Sequence, residues 1–122
     1  MNKLEEEARR FMLSHNKSMI TADEYQRKAK ATAIYPKKDA LSYLVLGLTS
    51  EAGEVAGKAK KIIRDGTQSD LASEVGDVLW YCAMLATELN VSLGKLMENN
   101  LDKLYDRTVS YTHLTLPTTP YV

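Results

Sequence analysis

The sequence predicts an all-α fold, on three observations. Apolar residues recur with the 3.6-residue period of a helix over long stretches. Residues that start and stop helices bracket those stretches. No strand-like alternation competes before residue 108. At 122 residues the chain holds one domain with a single core.

Residues 3–15 read as a first helix, with Leu4, Ala8, Phe11 and Met12 on one face. That stripe is short, which suits an N-terminal arm packed on a partner better than a core helix. After a polar break, Thr21-Ala-Asp-Glu24 has the spacing of a capping box. Thr21 can accept the N–H three residues on, and Glu24 can reach back. The second helix is expected to reach about Ala33 and to stop before Pro36, which biases Tyr35 away from the helical region.

Asp39 is the expected N-cap of a long helix to Arg64 or Asp65, ended by Gly66. Its apolar stripe is Leu41, Leu44, Val45, Leu48, Ala52, Val55, Ala59, Ile62 and Ile63. Glu51 lies at the edge of the stripe, with Glu54 and Lys58 just beyond. Ser69 or Asp70 then caps a helix ending near Asn90, with Leu71, Val75, Val78, Cys82, Leu85, Ala86 and Leu89 as its stripe. Glu74, Asp77 and Tyr81 follow one border of that stripe. The opposite face carries Trp80 among Leu79, Ala83 and Met84. A helix apolar nearly all round is buried on two sides, so the Trp80 side is expected at a subunit interface.

Ser92 caps a last helix from Leu93 to about Arg107, with Leu93, Leu96, Met97, Leu101, Leu104 and Tyr105 apolar. Residues 108–122 differ in kind: five threonines, two prolines and no formal charge after Arg107. They are expected to form an irregular, non-helical tail, foreign to the domain of residues 1–107 and its core, 21–107. A native tail making an edge contact on a partner subunit is the alternative.

The 16 basic and 16 acidic side chains cancel, which argues against broad attraction to nucleic acid. The single cysteine, Cys82, excludes an intramolecular disulfide and suits a reducing compartment. No apolar run approaches the ~18–20 residues that span a bilayer. The N-terminus lacks the basic-then-apolar order of a secretory signal. A cytoplasmic protein without membrane contact is the expectation.

Against this background two acid pairs stand out: Glu51-Ala-Gly-Glu54 and Glu74-Val-Gly-Asp77. Residues three apart share a helix side, so each pair can point at a common object. One such pair is ordinarily a solvated face. Two pairs on the borders of adjacent apolar stripes are harder to assign to solvent. Antiparallel packing about the loop at Gly66 would bring the pairs to similar height. Four converging carboxylates repel one another and call for a cation. Neither His15 nor His113 is near, and Cys82 sits alone, so zinc and di-iron chemistry are disfavoured. An oxygen-only set suits Mg²⁺, with Mn²⁺ as a substitute. Gly53 and Gly76 each cost ~1 kcal/mol of helix propensity against alanine. They suggest close helix approach or room for a ligand.

At these residues the sequence resembles the MazG-like, all-α nucleoside triphosphate pyrophosphohydrolases. Their pattern, E-x-x-E, a variable spacer, then E-x-x-D, is matched by Glu51, Glu54, Glu74 and Asp77. The surrounding words E-A-G-E-V, K-K-I-I-R-D-G and E-V-G-D-V-L-W-Y agree. So does N-x-x-K-L-x-x-R at Asn100, Lys103, Leu104 and Arg107. The likeness runs from Thr21 to Arg107. It implies an antiparallel, four-helix-bundle-like fold that assembles as a dimer or tetramer. It also implies Mg²⁺-dependent cleavage of the α–β phosphoanhydride of a nucleoside triphosphate, giving a monophosphate and pyrophosphate, as in house-cleaning of the nucleotide pool. Ser50 and Ser73 stand where many members carry a further acid, which leaves the number of ions and the identity of the base open.

On this reading Glu51, Glu54, Glu74 and Asp77 hold metal, and Glu54 or Glu51 serves as base. Lys103, Arg107, Lys58 and Asn100 are candidates for phosphate or substrate contact, and Tyr81 for stacking on base or sugar. Against each stands a solvated helix face or a helix cap. Two rival readings remain: a non-catalytic, regulatory nucleotide- and metal-binding dimer, and a structural helical dimer whose acids pair with Lys58, Lys61 and Lys103.

Overall fold

A computed structural model describes residues 2–15, 19–66, 68 and 70–115. Five helices follow in order: α1 Lys3–His15, α2 Ala22–Lys30, α3 Ala40–Asp65, α4 Leu71–Glu88 and α5 Leu93–Thr115. The described residues contain no strand, as the periodicity predicts. None of their helices is long and apolar enough to cross a membrane.

The helix ends follow local chemistry. Thr21 Oγ1 accepts the Glu24 N–H at 3.1 Å, while the Glu24 carboxylate accepts from the Thr21 hydroxyl rather than its backbone. Beyond Lys30, i→i+3 bonds carry a tightened turn on to Ala33. Gly66 ends α3 in the left-handed region (φ 66°), its N–H returning to the Ile62 carbonyl. Asp70 caps α4 through the Ser73 N–H, and Ser92 caps α5 through the Lys95 N–H. Ser69 lies outside the described residues. Asn90 takes φ 60° after α4, with Asn90 N–H to Thr87 O and Val91 N–H to Ala86 O. Those two bonds are the pair that closes a Schellman turn.

α3 and α4 form the main packed pair. Gly47 lies against Tyr81, Glu51 near Asp77, and Lys58 beside Glu74. Position numbers rise on one helix as they fall on the other, the register of an antiparallel hairpin. α2 crosses α4 and α5. Its Gln26 donates to Thr87 Oγ1 and to the Val91 carbonyl, and accepts the Leu93 N–H at 2.8 Å. Asp23 accepts the Gly94 N–H at 2.9 Å. Two α2 side chains thus satisfy backbone groups of the α4–α5 turn that would otherwise be unpaired.

The core is small: Ala29, Leu44, Ala83, Met84, Ala86 and Leu93, with Tyr25, Tyr35, Trp80, Tyr81 and Leu85 packed around it. This revises the expected stripes. On α4 the buried face is the one carrying Ala83 and Met84, while Val75 and Leu89 are exposed. Trp80, expected at a subunit interface, is half-buried and donates Nε1–H to Thr32 Oγ1 at 3.0 Å. The reason is that a helix apolar on both faces carries no periodic signal for which face meets its neighbour. On α3, Leu41, Val45 and Ile63 are exposed, as are Leu96, Met97, Leu101, Leu104 and Tyr105 on α5. One chain leaves these sides uncovered.

At the ends, two further expectations meet the structure. Among the described residues α1 touches none of the other helices, and Leu4 is exposed. The side chains of Phe11 and Met12 fall outside the description. The helix placed at Leu93 to about Arg107 runs on to Thr115, so residues 108–115 are helical where an irregular tail was expected. No glycine or proline intervenes before Pro117, and a helix already nucleated gains a bond with each added residue. The Thr108 hydroxyl bonds back to the Leu104 carbonyl. Residues 116–122, the rest of that tail, lie outside the described residues.

Candidate metal centre

The hairpin brings three of the four acids together. Glu51 of α3 and Glu74 and Asp77 of α4 each present a carboxylate oxygen, and these oxygens lie within 4.8 Å of one another. Glu51 and Glu74 are half-buried and Asp77 is exposed. Glu54, expected as a fourth member, lies outside this group on the exposed side of α3. Its charge still reaches the group. The Glu51 carboxyl is raised above its ordinary pKa, first by loss of water around it, then by Asp77, Glu74 and Glu54.

Lys58 Nζ lies 3.7 Å from Glu74 Oε1, bridging the two helices. No other ion pair to the group exists among the described residues. One ammonium beside Glu74 leaves the negative charge of the three carboxylates only partly compensated. Only carboxylate oxygens converge here, which fits a hard divalent cation and gives a soft metal nothing to hold.

Tyrosines line the neighbouring surface. Tyr81, one turn beyond Asp77, has its phenol raised by burial, then by Tyr43, Glu51 and Asp77. Tyr25 of α2 is raised by burial, then by Asp77 and Cys82. Tyr35 stacks on Tyr43 with ring centroids 6.1 Å apart, and its hydroxyl donates to Glu88. Tyr81 was expected at the site. Tyr25 and Tyr43 were not singled out, because the relation of Tyr25 to Asp77 and of Tyr43 to Tyr81 depends on how α2 and α3 pack on α4.

The remaining candidates are placed differently. Asn100, Lys103 and Arg107 are exposed on α5, which packs on α2 and α4. None of the three bonds to the acids within the chain. Gly53 and Gly76 do not mark close helix approach: a Cβ at either would meet nothing within 4 Å. They leave open space beside the acids. The close approach is at Gly47, where an added Cβ would run into the Tyr81 ring. A signal for it existed: Gly47 precedes Glu51 by four, as Asp77 precedes Tyr81 by four, so both lie one turn along the same hairpin seam.

Comparison with known proteins bears on this geometry. A family model described as the MazG nucleotide pyrophosphohydrolase domain matches residues 40–110, the span of α3, α4 and most of α5. The chain is 45% identical over 98 residues to the "Gene 37 protein" of Mycobacterium phage L5, covering 70% of this chain and 86% of that protein. No solved structure matches. The matched span contains both acid pairs and the hairpin that joins them, and on that evidence the chain belongs to the MazG nucleotide pyrophosphohydrolase domain family.

Proposed function

We propose that the protein is a Mg²⁺-dependent nucleoside triphosphate pyrophosphohydrolase that cleaves the α–β phosphoanhydride to a monophosphate and pyrophosphate, in house-cleaning of the nucleotide pool. The observation that carries this reading is the convergence of Glu51, Glu74 and Asp77 from two helices within 4.8 Å. A triphosphate brings up to about four negative charges to a site that is already acidic, and only cations reconcile the two. Bound there, Mg²⁺ (or Mn²⁺) would neutralise phosphate oxygens and lower the pKa of a water.

The protein's own groups divide the remaining work. Glu51, Glu74 and Asp77 hold the ion. Glu54, outside the tight group, is our choice for the carboxylate that accepts a proton from the attacking water, with Glu51 as second choice. The reach of its charge to Glu51 supports it. Lys58 sits beside Glu74, where it can turn to a phosphate oxygen once a cation relieves the carboxylate. Lys103 and Arg107, four apart on α5, meet the charge of the departing pyrophosphate, and Asn100 orients the substrate. Tyr81 flanks the nucleoside. The uncovered apolar sides of α3 and α5 support assembly with further copies of the chain, as a dimer or tetramer.

The test is a panel of standard and modified ribo- and deoxyribonucleoside triphosphates with Mg²⁺, scored for monophosphate and pyrophosphate. Wild type is compared with Glu54→Gln and Asp77→Asn. Release of single phosphate would place the cut at another bond and refute the reaction. The Lys58–Glu74 ion pair favours a second reading, a structural helical assembly whose acids are held by lysine. That reading expects no stabilisation by Mg²⁺ and no pyrophosphate.

A further inference from the structure

We infer that Gly47 is a positioning residue, whose missing side chain seats the Tyr81 ring against α3 so that the phenol stands beside the acid group and flanks the nucleoside of the substrate. The inference rests on the reading of the acids as the phosphate end of a nucleotide site.

Gly47 lies inside α3, where glycine is less favourable than alanine, so its presence wants a reason. A Cβ built at this position would lie 2.5 Å from Tyr81 Cζ and 2.8 Å from Cδ1, and closer still to Cε1. At Gly53, Gly57 and Gly76, the other glycines inside α3 and α4, the same atom would meet nothing within 4 Å. The contact is therefore particular to Gly47 and Tyr81. The ring cannot give way cheaply, because Trp80 stands edge-on to it at 5.0 Å and 83°. Asp77 stands one turn before Tyr81 on α4, and Glu51 one turn beyond Gly47 on α3.

Two consequences follow. With glycine at 47, the Tyr81 ring packs against α3 at the place a side chain would fill, one helical turn from Asp77. There it forms a wall next to the metal acids, and the part of a nucleotide adjoining its phosphates is the sugar and base. With any side chain at 47, the ring is driven off α3 into the space the nucleoside would fill. The acids, which sit a turn further along, keep their positions. Gly47 therefore governs substrate affinity and leaves ion binding alone.

The experiment is a double-mutant cycle on the full chain: wild type, Gly47→Ala, Tyr81→Ala and the pair. Steady-state hydrolysis with Mg²⁺ is read beside melting temperature and the Mg²⁺ concentration giving half-maximal rate. Gly47→Ala is expected to raise KM about tenfold, with kcat within about twofold and the Mg²⁺ requirement unchanged. Tyr81→Ala is expected to do the same, and the pair to be no worse than Tyr81→Ala alone. In the Tyr81→Ala background, Gly47→Ala should raise the melting temperature, because only helix propensity then changes. Gly47→Ala with a wild-type KM, or effects that add in the pair, would overturn the inference while the assigned reaction stood. A wild type that releases no pyrophosphate from any triphosphate would refute the reading of the acids, and the inference with it.

Discussion

The two halves of α4 present a contrast. Its C-terminal half holds the molecule together: Ala83, Met84 and Ala86 are buried, Thr87 bonds to Gln26, and the following turn is clamped by α2. Its N-terminal half carries Glu74 and Asp77 toward α3, with open space at Gly76 and Val75 exposed. Stability is concentrated where apolar atoms and paired backbone groups meet. The acid group lies where packing is sparse. A helix of this length can serve both ends because its own hydrogen bonds carry rigidity from the packed turn to the acidic one.

Substitutions at the two ends should therefore separate folding from activity. The largest effect on folding is expected from Met84→Ala. The side chain is fully buried, and its removal should cost about 3 kcal/mol of unfolding free energy, read from urea denaturation. The same residue in an exposed helix would cost far less, so a loss below about 1 kcal/mol would mean that this half of α4 is not the stabilising one. At the other end, Asp77→Asn should lower pyrophosphate release about 100-fold while leaving the metal-free melting temperature the same or higher. Parallel loss of activity and stability would erase the contrast.

Next in size is Gln26→Ala. It removes two donated bonds and strands the Leu93 N–H at the start of α5, at a cost of about 1–2 kcal/mol. Activity per folded molecule should be kept. A fall in activity without a fall in stability would tie the α4–α5 turn to the acidic end.

The contrast also explains how much of the molecule was legible beforehand. The helices, their caps at Thr21, Asp70 and Ser92, and the stop at Gly66 each rest on a few adjacent residues, so local chemistry determines them. The nearness of Glu51, Glu74 and Asp77 was legible because one short loop between two helices sets their spacing, whereas Glu54 of the expected four falls outside the group on the exposed side of α3. What lay hidden depends on how helices cross. Trp80 bonds to Thr32 across the chain, and the charge of Asp77 reaches Tyr25 on another helix. Gln26 binds a turn more than sixty residues away. The end of α5 was misjudged for a different reason. Threonines lower helix propensity one at a time, but with no breaker before Pro117 they do not stop a helix already running.

The smallest effect, and the one that speaks most directly about the acidic end, is the pH dependence of stability through Glu51. Its carboxyl is raised in the folded protein, by loss of water first and by Asp77, Glu74 and Glu54 after that. The metal-free fold then binds this proton more tightly than the unfolded chain does. The stability so gained is present below the ordinary carboxylate range and is lost as pH rises through the raised value. As the metal-free protein is acidified from neutrality toward that range, the Glu51 contribution should raise the melting temperature. It is read as the difference in slope between wild type and Glu51→Gln, since the lowered Asp65 carboxyl acts in the opposite direction in both. With saturating Mg²⁺ the sign reverses, because the ion binds the ionised carboxylates and acid displaces it. Differences of opposite sign without and with Mg²⁺ would be hard to obtain from a solvated, lysine-paired helix face. Differences of the same sign would show that these acids do not act as one group.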